Sequence, residues 1–285
     1  MVVAGSDSGG GAGIQADIKA IMAQGAYATT AITALTAQNT KGVQAVENVA
    51  AGFVATQMQA VLQDIGADII KTGMLASRDI VEVVAEHIAT IPTIIDPVMV
   101  ATSGDILLQK GAIDALDMLL VRTAFIVTPN LPEAGMLVGH AVEGLDDMRR
   151  AADILMERGA HAALIKGGHN LEGGKSGGVV QDLLARQSGQ HVLEHPRLQT
   201  QNTHGTGCSL ASGLAANLAN SIYEGREGRA GREGRDITDK IKDEPTDKII
   251  LAETIKALDY IHDAIASAPP NIGTGANKPI NHNCD

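Results

Sequence analysis

Short β-branched apolar runs alternate with helical patterns along nearly the whole of this chain, and that alternation leaves few architectures open. Met1–Ala4 is strand-like. Ile14, Ile18, Ile21 and Met22 then recur at helical spacing, and Gly25 closes that helix. Tyr27–Leu35, rich in Thr and β-branched residues, predicts a second strand. Helical stretches near 50–63, 77–88 and 146–158 separate strand-like runs at 68–72, 93–96, 124–128 and 162–166. Such a repeat specifies an α/β fold of three layers, a mostly parallel central sheet with helices on both faces. Ligands bind such sheets at the carboxyl ends of the strands, so the informative residues are expected in loops that follow strands. No shift in composition divides the chain, and residues 1–285 read as a single domain.

Composition removes several function classes. Apolar residues make up 45% of the chain, far too many for a disordered polypeptide. A net charge of −11 argues against a nucleic-acid or anionic-membrane binder, and five aromatic residues offer few platforms for stacked bases. Cys208 and Cys284 lie far apart and make no disulfide framework, which fits a reducing compartment. No apolar run approaches the ~20 residues of a membrane span. The N-terminus lacks the basic and apolar regions of a secretory signal, so a cytoplasmic location is expected. One segment interrupts the rhythm. Residues 221–248 carry 15 charged residues in 28, with the near repeat Arg226-Glu227-Gly228-Arg229 and Arg232-Glu233-Gly234-Arg235. Its balanced charge reads as a solvated surface loop.

Three loops could carry chemistry. Gly5-Ser6-Asp7-Ser8-Gly9-Gly10-Gly11-Ala12-Gly13 joins a strand to a helix, where glycines permit close backbone approach. It does not fit GxGxxG, since Ile14 stands where the last glycine belongs. In the second loop, Asn202–Cys208, a helix begins near Thr206 or Gly207, because Leu210, Leu214 and Leu218 step by four. Gly205-Thr206-Gly207 at a helix start aims several N–H donors at one spot and adds the positive end of the helix dipole. A transferring phosphoryl group requires that arrangement. Cys208 in the first turn is expected to have a lowered pKa; from position alone it reads equally as a small packing residue. In the third loop, Thr128–Glu133, Asn130 and Glu133 could hold Mg²⁺ through water, while a helix-capping arrangement also accounts for both. Two motif matches fail. His169–Ser176 has His169 where a P-loop needs glycine, and Gly174–Gly178, which formally fits GxSxG around Ser176, lacks the strand–turn–helix setting; a hairpin turn suits both. The nine histidines are scattered along the chain, and a structural zinc is not expected.

Seven ordered stretches together resemble the ribokinase-like superfamily and, within it, the hydroxymethylpyrimidine/phosphomethylpyrimidine kinases of thiamine biosynthesis. They are Ala4–Asp17, Thr33–Thr40, Lys71–Leu75, Asp96–Met99 with Ser103-Gly104-Asp105, Thr128–Ala134, Ile165–His169 and Asn202–Cys208. The similarity runs from residue 2 to about residue 218 and resumes weakly from Leu251 to His282; the charged 221–248 segment lies outside it. The resemblance implies ATP and Mg²⁺ as cofactors, a small pyrimidine as substrate and a homodimer. It implies that Gln38 reads the pyrimidine edge with Asp17, and that Gly5, Met74 and Val98 wall the ring. Asn130, Glu133 and Asp96 would orient Mg²⁺ and the triphosphate, Lys166 would contact phosphates, and Gly205-Thr206-Gly207 would form the anion hole. Sugar kinases of the superfamily place an aspartate base after this loop, where this chain has Cys208. A pyridoxal kinase of the same fold and a non-catalytic pyrimidine binder are the alternatives.

Overall fold

In the computed structural model, residues 1–100, 108, 111–168, 178–227 and 244–284 are described. Their strands form one nine-stranded sheet of order β3-β2-β1-β4-β5-β6-β7-β8-β9. These are β1 (Val2–Asp7), β2 (Thr30–Asn39), β3 (Gly42–Asn48), β4 (Ile70–Thr72), β5 (Thr93–Ile95), β6 (Ile126–Val127), β7 (Ala162–Ile165), β8 (Val179–Arg186) and β9 (Gly189–Pro196). From β2 through β7 the pairing is parallel. β3, β8 and β9 add antiparallel strands at the two edges.

Neighbouring residues in each parallel strand face opposite layers, and the core follows that alternation. Ile70, Ile95, Val127 and Ile165 pack on one side with Met58 of α2 (Ala51–Asp64), Val84 of α3 (Arg78–Ile88) and Leu116 of α4 (Ala112–Leu119). Leu137 of α5 (Leu131–Val138) and Leu155 of α6 (Leu145–Glu157) complete that layer. Ile69, Ile94, Ile126 and Leu164 face the other side. There they meet Leu210, Leu214 and Leu218 of α7 (Thr206–Glu227) and Leu258 and Ile261 of α8 (Glu244–Ala266). The last helix of that layer, α1 (Gly13–Ala23), packs Ile14 and Ile21 against Val2, Ala4 and Ala216. The expected three layers are present, and the short, doubly buried strands explain why their sequences read as continuous apolar runs.

Several boundaries differ from expectation. β1 continues through Gly5, Ser6 and Asp7, and β2 reaches Asn39, so Gln38 lies within a strand rather than after one. Tyr27, expected to open β2, is exposed outside it. Of the segment expected as a surface loop, residues 221–227 extend α7 and residues 244–248 begin α8, where Asp247 is buried against Arg186. Residues 228–243, Ser103-Gly104-Asp105 and the 169–177 stretch with Ser176 lie outside the described residues. No helix among the described residues is long and apolar enough to cross a membrane.

Candidate active site

The carboxyl ends of β5, β6 and β7 bring together Asp96, Asn130, Glu133 and Lys166. Asn130 caps α5, and the reciprocal capping box forms: Glu133 N–H donates to Asn130 Oδ1 at 2.9 Å, and Asn130 N–H to Glu133 Oε2 at 2.8 Å. Asn130 pairs in parallel with Lys166, whose N–H donates to the Pro129 carbonyl at 2.9 Å. The Lys166 ammonium then reaches back to Asp96 Oδ1 at 2.8 Å. Burial alone would lower the Lys166 pKa, but the Asp96 and Glu133 carboxylates raise it. Burial would likewise raise Asp96, yet Lys166 and Lys71 hold its carboxyl below the usual range. Glu133 behaves differently. It is 4% exposed, and burial pushes its carboxyl up to about 7 against the attraction of Lys166, with Asp96 adding repulsion.

Asp96 Oδ2 is buried and accepts no hydrogen bond among the described residues. No group of three or more His, Cys, Asp or Glu suited to a metal occurs among them either. That donor set fits Mg²⁺, which is held by one or two carboxylates together with substrate phosphates rather than by an all-protein cage.

Beneath this lies a second cation that sequence reasoning passed over. Lys71, at the middle of β4, is fully buried. Its ammonium is 2.9 Å from Asp17 Oδ1 and 3.8 Å from Asp96 Oδ2. Burial alone would lower its pKa, and the two carboxylates raise it. Asp17, expected to help read a pyrimidine edge, is itself fully enclosed; its Oδ1 also accepts from Ser212 Oγ of α7 at 2.7 Å. In the sequence Lys71 only opens the Lys71–Leu75 stretch of the resemblance, with no role attached to it. Only the fold shows that its flanks, Ile70 and Thr72, are also buried.

Cys208 reverses an expectation. The helix start was expected to lower its pKa, but burial pushes the thiol up to about 12. Lys71 pulls downward, while Asp17 and Asp96 add negative charge that opposes a thiolate. The local helix end loses to desolvation and two nearby carboxylates.

The glycine loops meet above these groups. Gly205 has a φ of +83°, and a Cβ there would collide with the Gly11 carbonyl oxygen. A Cβ on Gly207 would stand 3.2 Å from the Lys166 ammonium, so Lys166 and the Gly205-Thr206-Gly207 turn face one space. Thr206 and Gly207 open α7; the Thr206 N–H donates to the Thr203 carbonyl at 3.3 Å, and the Gly207 N–H has no intrahelical acceptor. On the other flank, a Cβ on Gly5 would come within 3.1 Å of Met74 Sδ, so these two are neighbours. Val98 is half-buried just after Asp96, its N–H donating to the Asp96 carbonyl at 2.8 Å. Gln38 is half-buried in β2, its backbone N–H and carbonyl both bonded to Ser8 Oγ at 2.8 Å. The expected site residues thus gather at one end of the sheet, with Asp17 beneath it rather than lining it.

Residues 7–224 match the family model described as phosphomethylpyrimidine kinase. The hydroxymethylpyrimidine/phosphomethylpyrimidine kinase of Rhizobium meliloti is 45% identical over 78% of this chain and 83% of its own. The protein of the same name from Haemophilus influenzae is 39% identical over 99% of this chain and 95% of its own. Among solved structures, a Staphylococcus aureus pyridoxal kinase in complex with AMP-PCP and pyridoxal superposes with a TM-score of 0.79 at 27% identity. That superposition covers 99% of this chain and 92% of the other.

Proposed function

The chain belongs to the phosphomethylpyrimidine kinase family, and on that premise we propose that it makes pyrimidine phosphates for thiamine biosynthesis. It transfers the γ-phosphoryl group of ATP to the hydroxymethyl oxygen of 4-amino-5-hydroxymethyl-2-methylpyrimidine, and then a second phosphoryl group to the resulting monophosphate. The observation that carries this reading is the position of the Lys166 ammonium, bonded to Asp96 and facing Gly207. It joins the Asn130–Glu133 corner to the helix N-terminus, as phosphoryl transfer needs.

In this reading Lys166 and the N–H groups of the Gly205–Gly207 turn bind the transferring phosphoryl group and stabilise its charge. Mg²⁺, held by Glu133 and Asp96 with the phosphates, would neutralise charge on the triphosphate. Asn130 orients that corner through its bond to Glu133. Gln38 offers the pyrimidine edge a carboxamide that both donates and accepts, and Gly5, Met74 and Val98 form the walls around the ring. Asp17 supports the site from below by anchoring Lys71. Cys208, part-buried with its thiol pKa raised by desolvation, is in this reading a neutral thiol. It therefore acts by position beside the anion hole, not as a preformed thiolate base. Residues 1–285 form one kinase domain, working in the cytoplasm as a homodimer.

The likeness to a pyridoxal-bound kinase favours one second reading, pyridoxal phosphorylation at the same site. A single experiment separates them. The protein is incubated with Mg-ATP and either the hydroxymethylpyrimidine or pyridoxal, and products are read by mass. Mono- and diphosphate from the pyrimidine are expected. Turnover of pyridoxal alone supports the second reading, and no ADP with either substrate refutes both.

A further inference from the structure

The Asp7 carboxylate sits where the two halves of the site meet. It ends β1, is 2% exposed, and accepts three backbone N–H bonds from the loop that follows: Gly9 at 2.7 Å, Gly11 at 3.0 Å and Ala12 at 2.8 Å. Its Oδ2 also lies 3.2 Å from His204 Nε2, across 197 residues of sequence. His204 immediately precedes the Gly205-Thr206-Gly207 turn, and its ring lies against Gly11. The His204 N–H donates to Lys278 O at 3.0 Å, so this loop is held from the far side as well. Burial alone would raise the Asp7 carboxyl; the His204 and Gln38 side chains and the Gly9 and Ala12 N–H groups hold it down to about 2.

We propose that Asp7 is a positioning residue that fixes the register between the acceptor-binding strand and the anion hole. One carboxylate holds the Gly9–Ala12 backbone, beside the Ser8 hydroxyl that anchors Gln38, and ties the His204 loop onto Gly11. The hydroxyl oxygen and the phosphoryl group approach each other from these two elements, and small errors in such alignment slow transfer severely. A purely structural anchor for β1 would need the backbone bonds alone. The tie to His204 gives the carboxylate a second function, since that bond adds nothing to the 9–12 turn. The Ser8 hydroxyl, bonded to both the N–H and the carbonyl of Gln38, anchors the same strand beside it.

The catalytic part of this inference rests on the kinase reading above, so its test has one arm without turnover. Asp7→Asn and His204→Gln are made singly and together. Hydrogen exchange is followed in peptides spanning 5–16 and 200–210, and kinetic constants are measured with the pyrimidine and with ATP. In Asp7→Asn both peptides should lose protection together, whatever the substrate proves to be. Each single variant should lower kcat by about tenfold or more, with the KM for ATP nearly unchanged. The double variant should be little worse than either single one, because coupled residues are not additive. Should Asp7→Asn fail to fold, His204→Gln carries the same test, since the 5–16 peptide must then respond to a change at residue 204. Exchange confined to the peptide that bears the substitution, or losses that simply multiply in the double variant, overturns the proposal. Absence of turnover in the wild type, with exchange in the two peptides still coupled, refutes the kinase reading and leaves the tie between loops standing.

Discussion

Glu133→Gln should make this protein more stable at pH 8 while removing its activity. The Glu133 carboxyl rises from 4.5 to about 7 on folding, first through burial. A carboxyl whose folded pKa exceeds its unfolded one favours the unfolded state once ionised. Below pH 4.5 both states hold the proton and no penalty exists. Between 4.5 and 7 the unfolded chain ionises first and the penalty grows; above 7 it is complete. The shift of 7 − 4.5 is about 2.5 units, and at 1.36 kcal/mol per unit this is an upper bound of about 3 kcal/mol. Glutamine keeps a carbonyl oxygen for the Asn130 N–H, so the capping box survives. It carries no charge to bury. With roughly 2–4 °C of melting temperature per kcal/mol, the variant should melt higher at pH 8, by at most about 6–12 °C, and nearly level with the wild type at pH 4.5. Thermal unfolding without nucleotide, followed by circular dichroism across that pH range, measures the gap. Mg-dependent ADP release should fall by roughly 10²-fold or more, since a carboxylate that would hold Mg²⁺ against the phosphates is lost. A melting temperature at pH 8 equal to or below that of the wild type refutes the burial argument.

Other substitutions probe separate parts of the site. Gln38→Leu should weaken pyrimidine binding by about 1–3 kcal/mol and leave ATP binding nearly intact; equal loss of both, measured by calorimetry, assigns Gln38 a structural role. Gly207→Val should abolish both phosphorylations together, because even a Cβ there stands 3.2 Å from the Lys166 ammonium; product masses that show one step surviving contradict a shared anion hole. Cys208→Ser should retain most turnover, and the wild-type pH–rate profile should show no thiol ionisation between pH 6 and 9, as expected of a group pushed up to about 12. A limb that disappears in the serine variant restores the base role. Lys71→Met leaves Asp17 and Asp96 buried without their shared cation and should cost about 3–5 kcal/mol in denaturant unfolding; a loss below 1 kcal/mol shows that the pair is not charged.

The layered fold was legible because the strands are short and buried on both faces, so Ile94-Ile95 and Leu164-Ile165 stand out as apolar runs. The edge strands were not. β3 presents mostly exposed residues, and β9 has no fully buried position, so neither carries a burial signal. The loops of the site announced themselves through glycines that only a close backbone approach explains, as at Gly205. The charges beneath were hidden. Nothing local marks Lys71 or Asp7 as a meeting point, since the partners of Lys71 lie 54 and 25 residues away and His204 is 197 residues from Asp7. The Cys208 error has the same origin. Its helix end is visible in sequence, whereas the carboxylates that oppose it arrive from α1 and β5.

The contact of Gly11 with Gly205, and of His204 with the Lys278–Pro279 stretch, sets a timetable for the chain during its synthesis. At about 5–20 residues per second, the ribosome delivers His204 roughly 10–40 s after Asp7. Throughout that interval the emerging chain has the central strands with Lys71 and Lys166 but no second loop to complete the proposed phosphate site. On the reading proposed above, nucleotide capture waits until residues 204–207 and 278–279 have both emerged.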